Sequence, residues 1–216
     1  SRQFKTGMMG EGVLGYDEMN MSQSIVNHTT GSRVGTTLVN GAVSTQGQAT
    51  ISIDGLTGAT DTVTVGDVFT IANVFAVNPQ TRLSTGSLQQ FVVTAAQTGA
   101  SNALANMAIS PPMYTSSNAL ATIDAFPADN AAVTFVGVAS TVYPQNLVYH
   151  KNAITLATAD LLLPQGVDMA SRQVHNGISM RIVRQYDINN DRMPCRVDVL
   201  YGFNTIRPPM ACRIFG

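Results

Sequence analysis

Asp61-Thr-Val-Thr-Val65-Gly66-Asp67-Val68-Phe-Thr-Ile71 sets two short strand patterns on either side of a turn. Thr62, Val63, Thr64 and Val65 alternate polar and apolar side chains, as a half-buried strand does. Gly66-Asp67 then supplies turn chemistry before the apolar return of Val68, Phe69 and Ile71. The same alternation precedes it in Ala49-Thr-Ile-Ser-Ile53. Further strand patterns follow over residues 88–95, 103–109 and 132–138. Asn78-Pro79, Thr98-Gly99, Pro111-Pro112 and residues 128–130 separate them. Short strands punctuated at this spacing predict an antiparallel barrel or sandwich.

Charge frames that β-rich middle. Residues 1–34 mix Arg2, Lys5, Glu11, Asp17, Glu18 and Arg33. Between Gly35 and Val148 the only base is Arg82, against Asp54, Asp61, Asp67, Asp124 and Asp129. From Tyr149 onward the bases return, from Lys151 and Arg172 through to Arg213. A composition shift that begins and then reverses predicts an inserted domain, with residues 1–34 and 141–216 together in space and Val34 close to Thr141. The last segment is itself β-rich. Residues 178–186 and 194–201 flank Asp187-Ile-Asn-Asn-Asp191 and predict a long hairpin. Its second strand places Cys195, Val197, Val199 and Tyr201 on one face, and Arg196, Asp198 and Leu200 on the other. No amphipathic helix stands out, though residues 168–175 could form a short one.

Composition narrows the function classes. A chain of 216 residues, 44% hydrophobic and only 12% charged, holds enough apolar side chains for a core and is no disordered tail. So thinly charged a chain fits burial in an assembly, although β-rich secreted domains share the profile. A formal net charge of −1 argues against a dedicated nucleic-acid binder. Cys195 and Cys212 sit in no metal-ligand spacing and are too few for a disulfide framework, so unpaired thiols in a reducing compartment are expected. No apolar run reaches membrane-spanning length, and residues 1–10 have no signal-peptide core. The start at Ser1 is taken as that of a fragment or a cleavage product.

Each motif with a chemical reading has a plainer one. Gly10-Glu-Gly-Val-Leu-Gly15 satisfies a dinucleotide fingerprint literally, but neither a buried strand before it nor a helix after it is predicted. A glycine-rich turn is the better reading. Asp187, Asn189, Asp191 and Asp198 match positions of a calcium loop, yet Arg192 stands where that loop needs glycine. His28, His150 and His175 form no ligand pair, and no serine or cysteine lies in a nucleophile motif. Catalytic, cofactor-binding and metal residues are therefore all expected to be none. The tail arginines could face packaged nucleic acid or a neighbouring subunit. Pairing of Arg196 with Asp198, or across the hairpin, is the alternative.

Longer stretches carry a family resemblance. Asn146-Leu-Val-Tyr-His-Lys-Asn-Ala-Ile-Thr-Leu-Ala-Thr-Ala-Asp-Leu161 resembles part of the coat proteins of short-tailed bacteriophages and related prophages. So do Gly177-Ile-Ser-Met-Arg-Ile-Val-Arg-Gln-Tyr-Asp-Ile-Asn-Asn-Asp191 and the close from Cys195-Arg-Val-Asp-Val-Leu-Tyr-Gly-Phe203 to Arg207-Pro-Pro-Met-Ala-Cys-Arg-Ile-Phe-Gly216. Val65-Gly-Asp-Val-Phe-Thr-Ile71, Asn78-Pro-Gln-Thr81 and Leu88-Gln-Gln-Phe91 look family-like too, while Gly15-Tyr-Asp and His28-Thr-Thr-Gly31 match more loosely.

The resemblance implies an α+β, mostly β chain: the carboxy-terminal portion of the capsid fold shared by tailed phages and herpesviruses, with axial and peripheral domain parts and an inserted six-stranded antiparallel β-barrel. On that basis residues 1–34 are a shell segment of the axial domain, 35–140 the inserted barrel, and 141–216 the return to the shell domain. The family's amino-terminal arm, extended loop and spine helix cannot be placed, so the chain corresponds to roughly the carboxy-terminal half of a full subunit. The implied function is structural and not enzymatic: hexamers and pentamers of an icosahedral shell, assembled with a scaffolding protein and a portal protein. Packaged DNA would be touched only non-specifically, no membrane is involved, and the protein would sit in the virion, passing through the host cytoplasm during assembly. The rival is a β-rich binding module of a tail fibre or adhesin, which gives no reason for the basic, β-rich segment from Gln145 to Gly216.

Overall fold

The computed structural model describes residues 8–13, 15–58 and 60–215, without the side chains of residues 8–13 and 215. It is mostly β, with one short 3-10 turn at Pro208–Met210 as its only helical element among the described residues. Two compact units divide it: residues 1–145 with 215–216, and residues 146–214.

The first unit begins with an antiparallel ribbon, β1 (Met8–Val13) and β2 (Tyr16–Asn20), followed by the short β3 (Asn27–Thr29). The barrel strands are β4 (Gly35–Val39), β5 (Gln48–Leu56), β7 (Val68–Val77), β8 (Ser84–Val93), β10 (Leu104–Met113) and β11 (Val133–Phe135). Two-residue strands β6 (Thr62–Val63) and β9 (Gln97–Thr98) pair with each other. The sheet order is β11-β7-β8-β10-β5-β4. Its two outer strands meet: Leu38 bridges Ala132, the Val39 N–H donates to the Ala131 carbonyl at 2.9 Å, and the Thr37 hydroxyl donates to the Val133 carbonyl. That contact all but closes the sheet into a barrel and leaves few strand edges unpaired.

Closure is driven by what it encloses. Ile51, Ile53, Ile71, Leu104 and Met107 are among a cluster of fully buried apolar side chains. The Phe69 ring lies 5.6 Å from Phe91 and 5.2 Å from Phe135, within the range where aromatic pairs attract beyond simple burial. Alternation alone would not fill this interior. In β7 burial follows Phe69 and Ile71, then moves to Val74 after Asn73 adopts φ 62°. In β10 it moves from Leu104 to Met107 and Ile109 after Asn106 adopts φ 52°. Each asparagine is a bulge that shifts the inward parity by one residue and bends the strand around the core. Gly55 serves the same curvature: its φ is +74°, and a Cβ there would collide with the Thr36 carbonyl oxygen.

The second unit contains β13 (Ile154–Ala159), β14 (Met169–His175), β15 (Ile178–Arg184) and β16 (Cys195–Thr205), in antiparallel order β13-β16-β15-β14. The expected hairpin is present, with Ile182 opposite Val197 and Met180 opposite Val199. β12 (Val142–Tyr149) runs through the point of division, and β17 (Ala211–Phe215) and β3 are its neighbours in sheet order.

Two expectations need correcting. Residues 169–175 form strand β14 instead of a helix; Asn176 and Gly177 both take positive φ and turn it back into β15 in a tight hairpin. Pro111-Pro112 lies inside β10 instead of interrupting it, near the strand end where the ladder to β5 is already irregular. Residues 15–34 lie in the same compact unit as the barrel, and the division between the two units falls inside β12. Two buried aspartates account for that grouping.

Candidate functional site

Asp61 and Asp67 flank the turn that opens β7, and each is 2% exposed. A buried carboxylate is costly unless it is paired and hydrogen-bonded, and these two are satisfied largely by the segment that leads into the barrel. Asp67 accepts from Arg33 at 2.6 Å and from the backbone N–H groups of Gly31 and Thr64 at 3.2 and 3.0 Å, with His28 Nε2 at 3.0 Å from its other oxygen. Asp61 accepts from the N–H of Val34 at 3.1 Å and of Gly58 at 2.9 Å. Burial alone would push the Asp67 carboxyl up. The Thr64 N–H, the Arg33 guanidinium, His28 and the Gly31 N–H outweigh it and hold Asp67 below the ordinary carboxylate value. Arg33 is itself covered, with its guanidinium carbon 4.0 Å from the centre of the Phe135 ring.

The chain enters and leaves the barrel at this point. The Thr30 N–H donates to the Thr141 carbonyl at 3.0 Å, the Thr30 hydroxyl donates to the Val138 carbonyl, and β3 pairs with β12 from Thr29–Val142 to Asn27–Pro144. Gly31 must be glycine because a Cβ would strike the Thr62 carbonyl oxygen. None of this has the form of a catalytic centre. It is a joint.

Within residues 146–214 the notable surface is a sheet face. Register places Leu156, Met180, Ile182, Val197, Val199 and Phe203 on one side of the four strands. Val197, Leu156 and Phe203 are 59%, 61% and 76% exposed. Among the described residues of this unit only Ala153 and Ser179 are buried. The opposite face carries Arg172, Arg181 and Arg196, each beside an aspartate, while Arg184, paired with Asp168, lies on the apolar side. Arg181 sits directly across the hairpin from Asp198 and binds it at 2.5 Å; Arg196 binds the same carboxylate at 2.8 Å. The Arg181 hydrogen bond, with help from Arg196, holds the Asp198 carboxyl low despite some desolvation. Arg172 and Arg181 also donate to the carbonyls of Leu161 and Leu162, which brings that loop onto the polar face. One face is thus finished, and the apolar one lies open.

The remaining motifs resolve into turns. The glycines of residues 10–15 lie in the β1–β2 ribbon; Leu14 is outside the described residues, Gly15 has φ +81°, and a strand follows where a nucleotide site needs a helix. In the 187–192 turn the Asp187 carboxylate accepts from the Asn189 N–H at 3.0 Å and the Asn190 amide at 2.7 Å, and Asp191 accepts the Tyr186 hydroxyl. The Asn190 amide leads in holding Asp187 low, and the Asp191 carboxylate pushes the Tyr186 phenol up. These oxygens serve the turn. Among the described residues no group of three histidine, cysteine or acidic side chains could hold a metal ion. His150 accepts from the Asn152 N–H at 3.2 Å, and both cysteines are exposed free thiols. No helix among the described residues is long and apolar enough to cross a membrane.

Sequence reasoning missed Asp67 as a hub because its side-chain partners, His28 and Arg33, lie more than 30 positions upstream. Only its polar position beside a buried strand gave a signal. No curated protein matches the chain. A family model does, and it spans the barrel, the joint and the open sheet together: the model described as "P22 coat protein - gene protein 5" matches residues 1–216, so the chain belongs to the P22 coat protein family, a family of phage capsid structural subunits.

Proposed function

We propose that this chain is part of a shell subunit that assembles with a scaffolding protein and a portal protein into an icosahedral capsid of hexamers and pentamers around packaged DNA. Residues 35–140 are the inserted barrel, and the chain on either side belongs to the shell domain. The bonding of Thr30 to Thr141 supports the insertion reading, since an insertion leaves and re-enters its host at neighbouring points. The observation that carries the proposal is the family match over the whole chain. The open apolar face fits it: a sheet whose large apolar side chains Leu156, Val197 and Phe203 stand exposed on one side is half of a two-layer structure, completed when the subunit is built into the shell. Contact with DNA is non-specific, since the hairpin arginines Arg181, Arg184 and Arg196 are already paired with aspartates. The protein then resides in the virion and assembles in the host cytoplasm.

Electron microscopy of the full-length subunit co-expressed with its scaffolding protein tests this. Closed shells are expected. In parallel, Val197→Asp with Phe203→Asp should leave subunit expression intact and abolish shells. Soluble subunits that never form shells with scaffolding protein would contradict the proposal, as would normal shells from the double variant for the role given to the sheet face.

A further inference from the structure

The segment from Val26 to Val34 is attached to the barrel quite differently from the way the barrel holds itself together. It buries no large apolar side chain: Val26 is 72% exposed and Val34 57%. What fastens it is polar. Gly31, Arg33 and His28 bind Asp67, and Val34 binds Asp61. Ser32 and Thr62 exchange hydrogen bonds, the Thr57 N–H donates to the Val34 carbonyl, and the Thr64 hydroxyl donates to the Thr29 carbonyl. The barrel core beneath is an apolar cluster, and among the described residues Asp61 and Asp67 are the only buried acidic or basic residues. Elements held by different chemistry open separately, at different free energies.

We propose that residues 26–34 form a strap latched by the carboxylates of Asp61 and Asp67, which opens as a unit when Asp67 loses its charge while the barrel core stays closed. The groups facing Asp67 are His28 and Arg33 from the strap, with Phe135 from β11 stacked on Arg33. The second carboxylate that holds the strap, Asp61, accepts from the backbone N–H groups of Gly58 and Val34. Neutralising Asp67 leaves the covered Arg33 without its counter-charge, which draws Arg33 toward water and the strap with it. Because Asp67 titrates below the usual carboxylate range, its contribution is complete at neutral pH. It is lost only as the pH falls through that lowered value.

Amide hydrogen exchange read by NMR on the whole chain tests the latch. In Asp67→Asn, exchange at Gly31, Val34 and Thr62 should accelerate by about tenfold or more, while Ala72 and Thr94, bonded within the barrel to Ala132 and Ala108, keep their rates. Val34 is the decisive probe, because its N–H is bonded to Asp61 and not to the mutated residue. Acceleration at Gly31 alone, or equal acceleration at all five amides, would overturn the proposal. Should Asp67→Asn fail to fold, Arg33→Gln decides: the same split is expected, and unchanged rates at Val34 and Thr62 would overturn it. In the unmodified chain, lowering the pH through the Asp67 titration should reproduce the split; simultaneous loss of strap and core protection would refute it.

Discussion

The barrel and the four-stranded sheet of residues 146–214 are built from the same kind of sequence and end up in opposite conditions. Both are antiparallel, and both alternate apolar and polar side chains. In the barrel, two asparagine bulges and the Leu38–Ala132 bridge curl the sheet until its apolar side faces itself. In the second sheet the register is regular from Met169–Arg184 to His175–Ile178 and from Met180–Val199 to Arg184–Cys195. A short ladder with no bulge has no device for closing on itself, so its apolar side waits for another layer. Alternation specifies which side chains share a face. Irregularity decides whether that face is buried within its own chain.

The sharpest way to break the comparison is to truncate equivalent side chains. Phe69→Ala should destabilise the barrel by about 3–5 kcal/mol, since it removes a fully buried ring that contacts two others. Phe203→Ala in the open sheet should change unfolding of the same chain by less than about 0.5 kcal/mol. Urea denaturation of the two variants checks this, and equal effects would erase the distinction.

Next in size is the joint. A segment of residues 26–145 should fold alone as a β-protein, and residues 35–140 should be less stable, because Asp61 and Asp67 would stay buried without Val34, Arg33 and His28. Removing one side of a buried ion pair costs about 3–5 kcal/mol, and water reaching the uncovered carboxylates reduces that here. Melting temperatures of the two segments decide; equal values would make the strap ornamental. A smaller effect is expected at Thr30, whose hydroxyl serves Val138 and Thr141. Thr30→Val should cost about 1–2 kcal/mol through those lost bonds.

The smallest effect belongs to Asp198. Its carboxyl is held low by Arg181 first and then Arg196, so the bond it gives the β15–β16 hairpin is present at neutral pH and lost as the pH falls through its folded-state value. The pair is at the surface, so Asp198→Asn should barely move the unfolding midpoint, and 0.5 M salt should do no more. A large loss would mean that the polar face of the sheet, and not its missing layer, sets its stability.

Much of this was legible in the residues. Thr62–Val63, Val68–Ile71 and Ala49–Ile53 lie within observed strands because alternation survives wherever a strand is half-buried. The hairpin ending in Asp187–Asp191 was legible for the same reason. Residues 168–175 were misread although Asn176-Gly177, a strong hairpin signal, stood directly behind them. The bulges at Asn73 and Asn106 were hidden, since an asparagine in a strand does not announce a left-handed backbone. Asp67 read as a turn residue; its role depends on His28 and Arg33, and no local pattern links positions that distant. The open face was half legible: the sequence placed Val197, Val199 and Tyr201 together but could not say that they stay exposed among the described residues.

The central claim is that the barrel is complete in itself and the sheet of residues 146–214 is completed by assembly. Hydrogen–deuterium exchange with mass spectrometry, comparing unassembled full-length subunits with closed shells, tests it directly. Peptides covering residues 68–113 should be equally protected in both, while those covering residues 178–205 should exchange quickly in the free subunit and become protected in the shell. Equal protection of residues 178–205 in both states would contradict it.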